Sequence, residues 1–239
     1  MSLTGKEVAQ MHKDYVMQSW ARSGADTLPV ERAEGIYFYD YDGKKYADMA
    51  SLLVCSNLGH ELPEIVEAIK EQADKMCFMA PAYASEPKSM LAKMLVEAAG
   101  ADTYSGHTLA CAAGVAAMKY YKEHDIEGHV AEMHEIVAPF MDEMVKKHKC
   151  IGEARCIGLF GALEVVKNKE TREPMQEYGV PGPVMPWIFA ELKKRGFATF
   201  GRENFIEICP PLIITKEELE EYLPILDEVL TMVDEKFCD

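Results

Sequence analysis

Histidine spacing is the first place to look for chemistry in these 239 residues. His124, His129 and His134 recur every five positions. Five residues rotate a helix by about 140°, so the three rings do not share a face and are expected to be solvated rather than gathered on a metal. His134-Glu135 opens like the helix of a zinc protease, but the second ligand should follow four residues after His134, and that position is Ala138. Gly158-Leu159-Phe160-Gly161 lacks the third glycine, lysine or serine of a phosphate loop, so it reads as a strand whose glycines allow close packing. No Gly-x-Ser-x-Gly elbow is present to expose a serine nucleophile. Asp and Glu number 40, and no spacing singles out a pair for acid–base work. Cysteines at 55, 77, 111, 150, 156, 209 and 238 make an odd set with no Cys-x-x-Cys. They read as reduced thiols of a cytoplasmic protein, most of them buried as small apolar side chains.

Bulk properties exclude further classes. Hydrophobic residues make up 49% of the chain and charged residues 27%, the balance of a soluble globular protein. The formal net charge of -15 repels phosphate backbones and anionic lipid, so nucleic acid and membrane surfaces are not expected partners. No apolar run approaches the roughly 20 residues that cross a bilayer. Met1 to Met17 is polar and mixed in charge, without the apolar core of a secretory leader, and the expected compartment is the cytoplasm.

The elements that must position any site follow from periodicity. Thr4 can cap a helix carrying Val8, Met11, Tyr15 and Val16. Ile36 to Asp48, rich in aromatic residues and broken by Asp42-Gly43, reads as a hairpin. Pro63 opens a helix with Ile65, Val66, Ile69 and Ala73 on one face. Ser85 and Pro87 open another, with Met90, Leu91, Met94 and Leu95 inward, stopping at Gly100. From Leu109 to Tyr121 small residues predominate, so that helix should pack closely on a neighbour. A helix from about Ile126 to His148 turns Val130, Met133, Val137, Met141 and Met144 to one side. Strands are expected at Gly158 to Val166, Phe197 to Phe200 and Phe205 to Cys209, with a helix from Trp187 to Arg195 among them. Thr215-Lys216-Glu217-Glu218 is a capping box for a last helix buried along Leu219, Tyr222, Leu223, Leu226, Leu230 and Val233. The fold class is α+β, with helices on one side of a mostly antiparallel sheet.

Three stretches resemble the class III, pyridoxal-phosphate-dependent aminotransferases. Val30 to Asp48, continuing into Asn57-Leu58-Gly59-His60, resembles the family's amino-terminal hairpin. Thr103-Tyr104-Ser105-Gly106-His107-Thr108-Leu109-Ala110-Cys111-Ala112-Ala113 resembles a family segment that has proline at the Thr108 position. Gly201-Arg202, followed by Cys209-Pro210-Pro211-Leu212-Ile213-Ile214-Thr215, resembles the small-domain strand and the start of the final helix. In the family, a large α/β domain separates the first stretch from the second. It holds the cofactor cup and the Schiff-base lysine. Here Ala99-Gly100-Ala101-Asp102 runs directly into Thr103, and no lysine lies between Lys93 and Lys119.

The resemblance implies the family's small domain, a mostly antiparallel sheet with packed helices, and the large pyridoxal phosphate domain absent. Residues 1–102 would supply the helix, hairpin and first interface helices, and residues 103–239 the small-domain segment, both packed as one composite body. Thr103 matches the threonine that reaches the partner's cofactor phosphate across the family's dimer. Its alternative role is a helix cap ahead of Leu109. Arg202 matches an arginine resembling a binder of the substrate carboxylate through a bidentate pair, or is a surface arginine. Leu53 and Val54 fall where the family lines its substrate pocket. No residue of this chain is assigned to catalysis or to a metal. The family activity is amino transfer from an ω-amino acid or taurine-like donor to pyruvate or a similar keto acid. This chain is expected to be inactive alone, to bind no cofactor by itself, and to form a homodimer through apolar faces uncovered between Met76 and Leu95 and on the alanine-rich helix. The alternatives are a non-catalytic dimeric scaffold, a deliberately shortened chain, or a chain whose missing domain is supplied by a partner.

Overall fold

Thr215 begins the longest apolar stripe of the chain. Its hydroxyl accepts the Glu218 N–H at 3.2 Å, while the Glu218 carboxylate accepts the Thr215 N–H at 2.9 Å, so two donors free at a helix start are satisfied. The helix that follows, Lys216–Phe237, buries Leu219, Tyr222, Leu223, Leu226, Leu230 and Val233 as the spacing predicts, with Val229 added. Each such aliphatic side chain contributes about 1.5–3 kcal/mol relative to an exposed one. The molecule is described by a computed structural model covering residues 3–17, 26–79, 83–99, 108–180 and 182–238. It divides into two compact units, one formed by Met1–His60 with Val130–Asp239, the other by Glu61–His129.

The first unit contains α1 (Gly5–Tyr15), the strands β1 (Val30–Glu34), β2 (Tyr37–Asp40) and β3 (Lys45–Asp48), and a single turn, α2 (Ser51–Val54). Most of α6 (Ile126–Lys147) follows, then β4 (Ile151–Ile157), β5 (Phe160–Asn168), β6 (Glu173–Pro174), α7 (Val184–Lys194), β7 (Phe197–Ala198), β8 (Phe205–Ile208) and α8 (Lys216–Phe237). One sheet runs β1-β2-β3-β7. Its first three strands are antiparallel, and β3 pairs in parallel with β7 through Ala47 and Phe197. In the other sheet β5 pairs antiparallel with β4, β6 and β8. The α+β class with mostly antiparallel pairing therefore holds, and the strands divide between two sheets. Asp42-Gly43 makes the hairpin turn, with the Asp40 carboxylate accepting the Asp42 and Lys44 N–H groups at 3.0 and 2.9 Å. Lys44 then reaches the end of α7, where its ammonium donates to the Lys193 and Lys194 carbonyls at 3.3 and 3.1 Å. A cation there answers the negative end of the helix.

Leu163, Val165, Ile206 and Ile208 from the second sheet share one core with Met133, Val137, Met141 and Met144 of α6 and with the α8 stripe. The two glycines of the 158–161 segment serve packing. Gly158 lies in the turn before β5, and a Cβ at Gly161 would meet the Met141 sulfur at 2.7 Å. Thr4 caps its helix as read, and the structure adds Glu7 to complete a capping box, but α1 buries no residue, and Met11 and Tyr15 remain exposed.

In the second unit α5 (Thr108–Glu123) packs against α3 (Pro63–Lys75) and α4 (Glu86–Ala99). Its small residues permit that approach. A Cβ on Gly114 would stand 2.9 Å from the Leu91 side chain. Ile65 and Val66 are half-buried, but Ile69 and Ala73 face outward, and the buried line ends instead on Gln72. The Gln72 amide donates to the Met76 carbonyl at 2.9 Å, which satisfies an acceptor left open beyond the helix end. Met90, expected inward, is exposed.

Candidate functional site

Leu53 and Val54 stand on the most unusual backbone of the molecule. Ser51, Leu52, Leu53 and Val54 have φ of 44°, 48°, 60° and 61°, so α2 is a left-handed turn built without glycine. In L-residues this conformation crowds Cβ against the following carbonyl, at about 1–2 kcal/mol per residue. The surrounding groups hold it. The buried Asp48 carboxylate accepts the Ala50 N–H at 3.3 Å and the Leu52 N–H at 3.1 Å. The same carboxylate meets His60 Nε2 at 3.0 Å. Ser51 is buried and its hydroxyl donates to the Cys209 carbonyl at 2.6 Å. Leu52, Leu53 and Val54 remain 56%, 39% and 44% exposed.

Arg202 sits on an excursion of chain tied to the same place. Met49 N–H donates to the Ala198 carbonyl at 2.7 Å, and Cys209 N–H donates to the Met49 carbonyl at 2.8 Å. The segment between them thus leaves from and returns to the residue just before the turn. Gly201 is required at its tip, since a Cβ there would overlap the Phe205 carbonyl and the Phe189 ring. Arg202 is exposed, and among the described residues its guanidinium has no ion-pair partner. Thr103 lies outside the described residues, as does the junction with Asp102.

Two of the cavities among the described residues lie elsewhere. One of about 330 Å³ in the second unit is lined by Glu64, Glu67, Glu71, Lys119, Tyr120 and Glu123 among others. The other, about 400 Å³ in the first unit, is bounded in part by Gln176, Met185, Phe189, Gly201 and Glu203. The five-residue histidine spacing brings nothing together. His124 stacks on Tyr120 at 4.0 Å, while His134 Nδ1 lies 3.2 Å from the Gly158 carbonyl. Among the described residues no cluster could hold a metal ion. None of the seven cysteines is joined in a disulfide, and burial pushes Cys209 up to about 11, which argues against a nucleophilic thiolate there. Among the described residues no helix is long and apolar enough to cross a membrane.

Sequence reasoning assigned no role to Asp48, Ser51 or His60. Asp48 was read as the end of a hairpin and His60 as part of a family signature. No local signal marked them, because the contacts that join Asp48, Ser51, His60 and Cys209 form only on folding.

The fold and these sequence blocks define a class. The family model described as aminotransferase class-III matches residues 20–102 and 98–230, and the chain belongs to that family. Its backbone superposes on the taurine:2-oxoglutarate aminotransferase of Bifidobacterium kashiwanohense, solved in complex with PLP and glutamate, with a TM-score of 0.95 at 37% identity, covering 100% of both chains. An omega transaminase from Pseudomonas jessenii shares the fold, with a TM-score of 0.85 at 12% identity, covering 96% of this chain and 99% of that one. An ethanolamine-phosphate phospho-lyase homolog of Caenorhabditis elegans is 34% identical over 136 residues, 56% of this chain and 28% of its own length. A probable gamma-aminobutyrate transaminase of Oryza sativa is 31% identical over 196 residues, 81% of this chain and 34% of its own. The chain thus spans about a third of the length of the curated relatives it matches.

The family depends on pyridoxal phosphate, whose phosphate needs a cradle of N–H donors or cations. Neither cavity provides one. The first sets four glutamates against Lys119, and among the described residues the second is bounded by Glu203 with no cation. The linings of these two cavities therefore do not fit the cofactor's phosphate.

Proposed function

We propose that this chain is the substrate-facing and dimer-forming part of a class III aminotransferase, and that it does not transfer amino groups by itself. The family match carries this reading. It falls in two blocks that meet at residues 98–102, where Asp102 joins Thr103. In the family the lysine and the cofactor cup come from the segment that would stand between these blocks. The carboxylate-lined cavities support the same conclusion.

Within that reading Arg202 is the group that would grip a substrate carboxylate or sulfonate, and its unpaired guanidinium suits a bidentate partner. Leu53 and Val54 form the apolar wall for the substrate's carbon chain. Thr103 supplies either a contact to the partner's cofactor phosphate or a cap ahead of Leu109. The 37% identity to a taurine:2-oxoglutarate enzyme supports a taurine-like or ω-amino acid donor and a keto-acid acceptor. Homodimerisation is supported by exposed Phe78, Met79, Tyr83, Met90 and Val96, an apolar set seldom left to water. Seven cysteines outside any disulfide support a reducing, cytoplasmic setting.

The test uses the whole chain with pyridoxal phosphate, reduced with borohydride and read by mass spectrometry. No stoichiometric lysine adduct is expected. An adduct at one lysine, together with amino transfer to a keto acid, overturns the reading. A second reading, a non-catalytic dimeric scaffold, is favoured by the closed core around α8, and a single cooperative melt of a dimer would support it. A neighbouring reading frame encoding the absent lysine segment would instead point to a partner chain.

A further inference from the structure

Four consecutive left-handed residues are rarely tolerated without glycine, and where they persist the surroundings must over-determine them. Here the two side chains that fix the turn are buried, while three of the four left-handed residues expose theirs. Asp48 and Ser51 are 3% and 1% exposed, whereas Leu52, Leu53 and Val54 look outward. Stability alone would place glycine at these positions. Large apolar residues make sense if their side chains are used and the direction in which they point matters.

We infer that Asp48 is the positioning residue of this site. Its carboxylate, oriented by the His60 imidazole, imposes the left-handed turn and thereby sets where Leu53 and Val54 stand. Ser51 Oγ locks the turn to the Cys209 carbonyl, the end of the excursion that carries Arg202. Asp48 touches no substrate in this scheme. It acts on specificity through the two side chains it orients. The inference rests on reading Leu53 and Val54 as the wall of the amino-donor pocket.

The test is amide hydrogen exchange on the full chain, compared among variants. Asp48→Ala should speed exchange at Leu52 to Ser56 by tenfold or more while α8 exchange is unchanged. His60→Gln, which keeps an N–H donor for the carboxylate, should restore exchange to within about threefold of the native chain, whereas His60→Ala should not. Unchanged turn exchange in Asp48→Ala, or equal loss in both His60 variants, overturns the inference. Should Asp48→Ala fail to fold, Leu53 provides an independent reading. At a left-handed φ, Leu53→Gly should melt about 2–4 °C above Leu53→Ala. A Leu53→Gly variant that melts no higher means that no strain is held there, and the positioning role falls. The two readings fail separately, because the lysine-adduct experiment reports on function whatever the turn does.

Discussion

His148 shows how much of the molecule depends on single polar side chains. It is buried at the end of α6, with Nε2 2.7 Å from Asp227 and Nδ1 2.9 Å from Asp234. Asp234 also accepts the Cys150 N–H at 2.8 Å, so one cluster ties α6, the start of β4 and α8 together. Removing the ring leaves two partly buried carboxylates facing each other without the partner they share, and His148→Ala should cost about 3 kcal/mol in urea unfolding. The pH dependence follows from Asp227. Burial works against its ionisation, but hydrogen bonds from Lys147 and His148 outweigh it and hold the carboxyl below its ordinary value. A depressed carboxyl contributes stability that is fully present above the unfolded value of about 3.9 and is lost as pH falls through the lower folded value. The unfolding midpoint should therefore be level down to about pH 5 and drop below about pH 4, and less steeply in Asp227→Asn. None of this was legible in the sequence, because the partners of His148 lie 79 and 86 residues away.

Elements were read more successfully, and the reason is local. The Thr4 cap, the Thr215 capping box, the Asp42-Gly43 turn and the α8 stripe are set by residues within a few positions of one another. Burial faces were read less well. The α3 stripe turned toward Gln72, since the direction from which α5 approaches is not written in α3 itself. Strand β4 was missed because Gly152, Glu153 and Arg155 interrupt its apolar pattern, and those positions are chosen by cross-strand partners on β5. The candidate site divides in the same way. Arg202, Leu53 and Val54 were reachable only by resemblance, and the clamp of Asp48 and His60 only from the folded chain. The β7–β8 excursion makes the point testable. Its glycine has no space for a methyl group, so Gly201→Ala should force the Phe205 carbonyl aside and cost about 2 kcal/mol in thermal or urea unfolding.

At the scale of the whole chain, the two units are unequally supported. The first has a continuous core reaching from Ile36 to Val233. In the second, among the described residues, the buried apolar positions are Cys111, Ala112 and Ile126. Opening should be easiest where least apolar area is buried. Hydrogen exchange is expected to be fastest in α3 and α4, slower in α6 and slowest in α8, and limited proteolysis should cut between Met76 and Glu86 first. Equal protection across both units would contradict that ordering. The α+β class was legible because strands and helices carry different periods. The division into two sheets was not, since it depends on a parallel pair formed by residues far apart in sequence.

That parallel pair has a consequence for synthesis. Ala47 pairs with Phe197, so the hairpin reaches its final neighbour only after some 150 further residues have emerged. At a translation rate of about 5–20 residues per second, the outer edge of β3 waits roughly 8–30 s with unpaired backbone groups. Throughout that interval it is a template for any passing strand. The nascent chain, more than the finished one, is where this protein should lean on chaperones.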